Sequence, residues 1–401
     1  MAFKPSYLRQ KSKILLVTKT LRVFGFGFLS IILPLYLLKL GYSPIFVGIV
    51  LSASVFSSVV YNVLVSVFSD RFGRGRSLVL LSIMMSLSGV LLIADLSAVS
   101  LIIAAMIGAM SVTGTETGPF LAIEQSAISG QVKDKDRTKV FGLYNFLGYS
   151  AAAFGALFSG LPSLFSSIIG YYILLYVYIG ISLTLAAVYF TMGTDLELKK
   201  RPAKVSYISK EGKRTIKKLA VLFSIDSFGG GFVLQSLLSL WFVSRYGMGI
   251  GTLSLIFLAT NIITAISLLI APKIARRVGL LNTMVFTHIP SNLFLIAIPL
   301  APTAVYAVAF LFLRQSLSQM DVPTRQSYTM AIVKPEERTA LAGLTNVPRS
   351  IAQGVSPSIS SYFISIFDYS VPFFASGAIK IVYDVLIFLT FRKVRPPGEK
   401  R

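Results

Sequence analysis

The chain contains no cysteine and a single histidine, His288. The first absence excludes disulfides, thiolate metal centres and cysteine nucleophiles. The second excludes a histidine cluster, and a lone histidine inside an apolar run reads first as a helix–helix hydrogen bond. Charge is scarce as well: 13% of the 401 residues are Asp, Glu, Lys or Arg, against 54% hydrophobic. A water-soluble protein of this length needs far more charge to cover its surface. No phosphate-binding loop or metal-ligand spacing occurs, so no catalytic residue, metal or cofactor is expected, and the chain does not read as an enzyme.

What fills the chain is long apolar runs. Runs of about 20 residues match a hydrocarbon core of ~30 Å, whereas a β-barrel would show ~10-residue alternating segments. Twelve spans are expected, at 14–38, 44–68, 77–95, 98–128, 139–161, 168–192, 217–243, 250–272, 281–300, 303–331, 339–366 and 370–391. The net charge of +22 would suggest nucleic acid in a soluble protein. Here Lys and Arg gather in alternate loops, with nine of them in residues 199–218, while the opposite loops hold Lys39 and Arg245. That asymmetry puts both termini in the cytoplasm, in a plasma-membrane protein. The basic side also attracts anionic lipid, and no nucleic-acid partner is expected. The first apolar run is too long for a cleaved signal peptide and contains Lys19 and Arg22.

The two halves are related. Glu124–Asn145 aligns without gaps to Arg325–Asn346 at a shift of 201, with nine identities in 22 positions. A second match, "RVFGFGF" (22–28) to "DSFGGGF" (226–232), sits at a shift of 204. Both copies run in the same direction, so the expected architecture is two six-helix bundles related by a pseudo-twofold axis along the membrane normal. The expected boundaries are 1–192 for the first bundle, 193–216 for a basic cytoplasmic linker and 217–401 for the second bundle with its tail.

The turn between the second and third spans reads "SDRFGRGRS" (69–77). It resembles the signature loop of the major facilitator superfamily, with Asp70, Arg71, Gly73, Arg74 and Arg76 in place, Ser66 where that family has Gly, and Gly75 interrupting the basic run. The resemblance implies an all-α fold of twelve transmembrane helices and rocking of one bundle against the other. It gives Asp70 the role of a cytoplasmic gate, with Arg71 and Arg74 holding the loop. The second-half counterpart, "PKIARRVG" (272–279), lacks the acid. "GPFLAIEQSA" (118–127) and "DVPTRQSYTMAIVKPEERT" (321–339) look like a little-characterised prokaryotic branch that implies no substrate class.

Charges inside the spans mark the candidate site, because a charged group in lipid is costly unless it faces an interior or a cavity. Arg22 and Asp226 are repeat-related, and so are Glu124 and Arg325. Each half thus carries one acid and one base, with reversed polarity. These four are the candidate charge switch or coupling groups, with Arg22 neutralised by Glu124 or by Asp226. Arg314, Ser318, Asp321 and Arg325 are spaced four, three and four apart, which on a continuous helix makes one polar face. The resemblance places the first, fourth, seventh and tenth spans around a central cavity. Its candidate lining is Glu116, Gln235, Arg314, Ser318, Asp321, Asn145 and Asn346. Lys380 and Asp384, four apart, are expected to pair with each other. Gly229–Gly231 either permit close helix approach or loosen a helix, and Pro34, Pro119, Pro323, Pro348 and Pro357 are expected to bend theirs.

The function expected from this pattern is secondary transport of a small organic solute by a monomer, with protons as the candidate coupling ion. A multidrug antiporter is the alternative, and the missing antiporter signatures in spans four and five count against it. A non-transporting sensor or scaffold is the reading from another class; it predicts loss of the gate loop and the intramembrane charges, and both are present.

Overall fold

The computed structural model describes residues 10–108, 110–114, 118–131, 134–165, 168–193, 209–333 and 338–394. Among these residues the regular structure is entirely helical, with fifteen α-helices. The first half contains α1 (Gln10–Lys39), α2 (Pro44–Phe72), α3 (Arg74–Ala94), α4 (Ala98–Ile107), α5 (Pro119–Gln131), α6 (Asp134–Phe158) and α7 (Ile169–Met192). The second contains α8 (Lys210–Gly231), α9 (Gln235–Tyr246), α10 (Ile250–Val278), α11 (Leu280–Ala297), α12 (Ala304–Ser318), α13 (Asp321–Ala331), α14 (Arg338–Ile366) and α15 (Val371–Phe391).

Helix occupies each expected interval, and eight stretches among the described residues are long and apolar enough to cross a membrane. The intervals 139–161 and 339–366 form α6 and α14, which are more polar. Three intervals are broken. Residues 108–118 separate α4 from α5, residues 232–234 separate α8 from α9, and Gln319 and Met320 separate α12 from α13. Pro119 is the first residue of α5 and Pro323 lies in the first turn of α13, so these two prolines start helices and do not bend them. Pro34, Pro348 and Pro357 do lie inside helices, as do Pro272 and Pro290. The break at 319–320 also divides the expected polar stripe, leaving Arg314 and Ser318 on α12 and Asp321 and Arg325 on α13.

Other boundaries have local causes. The Ser209 hydroxyl accepts from Gly212 N at 3.0 Å and Glu211 stands in the first turn, so α8 begins at Lys210 and the end of the segment read as a linker is helical. The turn after α2 is one residue, Gly73, with φ 103°. Gly279, with φ 92°, makes the same one-residue break between α10 and α11. A side chain at either position would be strained.

The chain forms two compact units: Met1–Arg201 with Met248–Leu258, and Pro202–Gly247 with Ala259–Arg401. In the first, α1 packs along α6 and α3 along α7; in the second, α8 packs along α14 and α11 along α15. These are repeat-related pairings. The α1–α6 crossing rests on Gly27 and Gly155: a Cβ on Gly27 would meet Ala152 O at 2.6 Å, and one on Gly155 would collide with the Phe24 carbonyl. The equivalent crossing of α8 and α14 places Gly231 against Ser356, where a Cβ would meet the Ser356 Cβ at 2.5 Å. Small residues let helices approach when lipid offers no hydrophobic drive between them.

The outward surface is apolar. Phe190, Val305, Phe286 and Leu269 are exposed, which suits hydrocarbon and not water. Many hydroxyls in the spans return to their own helix: Ser82 Oγ donates to Leu78 O at 2.8 Å and Ser182 Oγ to Tyr178 O at 2.7 Å. Those hydroxyls are thereby satisfied without water, as a spanning helix requires.

Candidate functional site

Among the described residues each unit holds one buried charge cluster. In the first unit, α1 supplies Thr18, Lys19 and Arg22, α5 supplies Phe120 and Glu124, α6 supplies Tyr144 and α7 supplies Tyr189. Arg22 and Glu124 have no exposed surface. Their ion pair is two-pronged: Arg22 Nη1 donates to Glu124 Oε1 at 3.0 Å and Nη2 to Oε2 at 2.7 Å. The Glu124 carboxylate also accepts from Tyr144 OH at 2.7 Å, from Thr18 Oγ1 at 3.2 Å and from the Tyr189 hydroxyl. The Arg22 guanidinium lies over the Phe120 ring, 4.4 Å from its centroid, and Lys19 lies over Tyr144 at 4.4 Å. Arg22 is thus neutralised inside its own unit, by Glu124.

In the second unit the polarity is reversed and the cluster is larger. Asp226 on α8 accepts from Arg325 Nη1 of α13 at 2.8 Å and from Lys380 Nζ of α15 at 2.7 Å. Arg325 is shared with Asp321, one turn earlier on α13, at 3.2 Å. Asp384 on α15 accepts from His288 Nδ1 of α11 at 2.8 Å and from Asn292 Nδ2 at 3.1 Å. The other imidazole nitrogen, Nε2, stands 4.0 Å from Asp226 Oδ1. Arg349 on α14 donates from Nε to Ser227 Oγ at 2.9 Å. Lys380 and Asp384 therefore do not pair with each other. Lys380 points along α8, where Gly229 leaves room: a Cβ there would sit 3.0 Å from Lys380 Cγ. Ser376 on α15 also bonds the Gly229 carbonyl at 2.7 Å. The glycine run serves close packing at Gly229 and Gly231, and α8 ends there too.

The remaining candidates are placed as follows. Arg314 donates to Gln315 Oε1 at 2.9 Å, and Ser318 Oγ to the same atom at 3.0 Å, so both are tied to their own helix. Gln235 opens α9 and is half-buried, while Asn145 and Asn346 are exposed on α6 and α14. Glu116 lies outside the described residues. Asp70 and Arg71 fall in the last turn of α2, and their side chains lie outside the described part of the structure. Arg74 is buried and Arg76 exposed. Gly75 has a physical reason in this packing: a Cβ would collide with the Gly193 carbonyl at the end of α7. An open groove of about 460 Å³ runs between α8 and α14, lined by Ala220, Ser224, Phe228, Pro348 and Ala352, with Lys217 at its rim. Apart from Ser224 and Lys217 its walls are apolar.

Sequence reasoning paired the repeat-related charges but missed their surroundings. The sequence reading did not single out Tyr144 or Tyr189, whereas the helix–helix hydrogen bond expected of His288 is present, with Asp384 as its partner. The available signal was Asn292, four residues after His288 and so on the same helical face.

A family model described as Major Facilitator Superfamily matches residues 15–318. An uncharacterized membrane protein of Saccharomyces cerevisiae, YJR124C, is 24% identical over 418 residues, covering 94% of this chain and 93% of that protein. The fold is similar to that of the nucleoside transporter NupG, with TM-score 0.77 and 13% identity over 95% of this chain and 99% of that one. A bacterial homolog of the human lysosomal transporter Spinster gives TM-score 0.74 and 14% identity, covering 96% of this chain and 98% of that one. A D-xylose–proton symporter gives 0.72 and 13%, covering 97% and 98%. At these identities the solved structures show the fold, and the family match covers three quarters of the sequence. With its duplicated helical units, its apolar exterior and its buried intramembrane charges, this multi-pass membrane protein belongs to the major facilitator superfamily.

Proposed function

We propose that the protein is a secondary transporter that moves a small organic solute across the plasma membrane by alternating access, as a monomer with both termini cytoplasmic. The observation that carries this reading is the reversed-polarity charge pair, Arg22–Glu124 in one unit and Asp226–Arg325 in the other, in a superfamily of transporters. A buried ion pair adds little stability over packed apolar residues, so a pair repeated with reversed polarity in both units supports a role beyond stability. The two clusters divide the work. Arg22–Glu124 is satisfied on every side and acts as a fixed clamp within its unit. Asp226 holds two cations that each have another acid within reach, Asp321 for Arg325 and Asp384 for Lys380, so its contacts can exchange during a cycle. Nucleoside- and sugar-sized polar solutes, as carried by the transporters of similar fold, are the first class to test, with protons as the coupling ion.

The test is uptake into proteoliposomes. Asp226→Asn is expected to abolish accumulation against a gradient while the purified protein keeps its helical content and a cooperative thermal transition. Normal accumulation by that variant would reject the assignment of Asp226. A wild-type protein that stays folded but neither moves nor is stabilised by any solute of a broad panel would favour the sensor reading.

A further inference from the structure

The second unit's cluster contains a group that the transport reading leaves unused, the His288–Asp384 pair. Its surroundings can be counted. From α8 comes Asp226; from α13 come Asp321 and Arg325, which reach His288 through Asp226; from α15 come Lys380, Asp384 and the Tyr383 ring, with centroids 6.1 Å from the imidazole. On α12, Arg314 is bonded to Gln315, and on α14, Arg349 is bonded to Ser227. Asp226 and Asp321 are balanced by Arg325 and Lys380. Asp384 is left with His288 and the neutral Asn292. Asp384 has no exposed surface and His288 is 3% exposed. A carboxylate buried in this way is stabilised by a cationic partner, and the imidazole hydrogen-bonded to it supplies that charge when protonated.

The sequence adds the second half of the argument. Lys380 and Asp384 are four apart on α15, the spacing at which a lysine and an acid share a helix face. Lys380 nevertheless bonds Asp226, and His288 occupies Asp384. Among its described residues the first unit has no such layer. There Tyr178 faces Gly25 as Lys380 faces Gly229, and Ser182, one turn further, bonds its own backbone.

We propose that His288 and Asp384 form the binding site for the coupling proton, and that its occupation decides which acid Lys380 serves. This rests on the transporter reading for the word coupling, but not for the site itself. With the proton bound, imidazolium neutralises Asp384 and Lys380 stays on Asp226, the arrangement in this structure. When the imidazolium releases its proton to water, Asp384 is left charged and unpartnered by any cation. Lys380 then swings one helical turn to it, and Asp226 keeps Arg325 alone. Loss of one proton thereby loosens the contact between α15 and α8.

The single histidine makes the test direct. Full-length protein labelled at histidine and purified without a polyhistidine tag gives one imidazole resonance in nanodiscs, followed from about pH 5 to pH 9. The expected result is one titration whose midpoint moves down by about one pH unit or more in Asp384→Asn. If Asp384→Asn does not fold, Asn292→Leu serves: it removes the other donor to Asp384 and is expected to move the midpoint upward. Double-mutant cycles on thermal midpoints then read the exchange. Lys380 is expected to couple to Asp226 below the His288 midpoint and to Asp384 above it. A midpoint indifferent to these changes, or a Lys380–Asp226 coupling constant across pH, would overturn the proposal. None of these readouts needs a solute. A protein that titrates as expected but moves nothing contradicts the transport reading alone, and one that transports without this titration contradicts the proton site alone.

Discussion

Glu124 and Asp226 are both buried acids paired with an arginine, yet their environments predict unequal responses to neutralisation. Glu124→Gln removes the two-pronged carboxylate partner of the fully buried Arg22 guanidinium, and the loss of one partner from such a pair costs about 3–5 kcal/mol. A large fall in the thermal midpoint is expected. Asp226→Asn leaves Arg325 on Asp321 and Lys380 one turn from Asp384, so its midpoint is expected to fall by much less while transport is lost. Measuring both midpoints in the same lipid checks the division into clamp and switch, and equal losses would refute it. The sequence made the four charges legible because they sit in apolar runs and align across the repeat. It did not make Lys380–Asp226 legible, because a four-residue spacing names the nearest partner on one helix and says nothing about an acid on another.

At the scale of helices, the repeat is preserved in packing more faithfully than in sequence. Gly27 meets α6 at Gly155, and the equivalent Gly231 meets α14 at Ser356. Gly155→Val is expected to prevent α1 from closing on α6, since even a Cβ would collide with the Phe24 carbonyl, and to abolish folded yield on size-exclusion chromatography. Gly180→Ala is the control: its Cβ would meet nothing within 4 Å, and it should be neutral or slightly stabilising, by up to about 1 kcal/mol, in the exposed face of α7. The helices themselves were readable from apolar run length. The breaks in the fourth, seventh and tenth spans were not, because an apolar window of that length does not distinguish one helix from two half-helices in line. Pro119 and Pro323 carried the signal and were read as bends. A proline inside a run fits either a kink or a helix start, and the residues before it, Gly118 in one case and Gln319–Met320 in the other, decide which.

For the whole molecule, the distribution of Lys and Arg predicts orientation. The absence of native cysteine makes the check clean: Ser206→Cys, in the basic segment between the halves, is expected to react with an impermeant maleimide in inside-out vesicles and not in sealed cells. The reverse pattern would invert the topology. Family membership was legible from one short loop together with the duplication, and the solute was not, since nothing in the charge pattern specifies a shape.

The central claim is that Asp226 exchanges partners during transport. Its most direct test is accumulation of a transported solute in proteoliposomes under an imposed pH gradient, wild type against Asp226→Asn, each verified as folded. The account predicts accumulation above equilibrium in the wild type and none in the variant. Equal accumulation in both would contradict it.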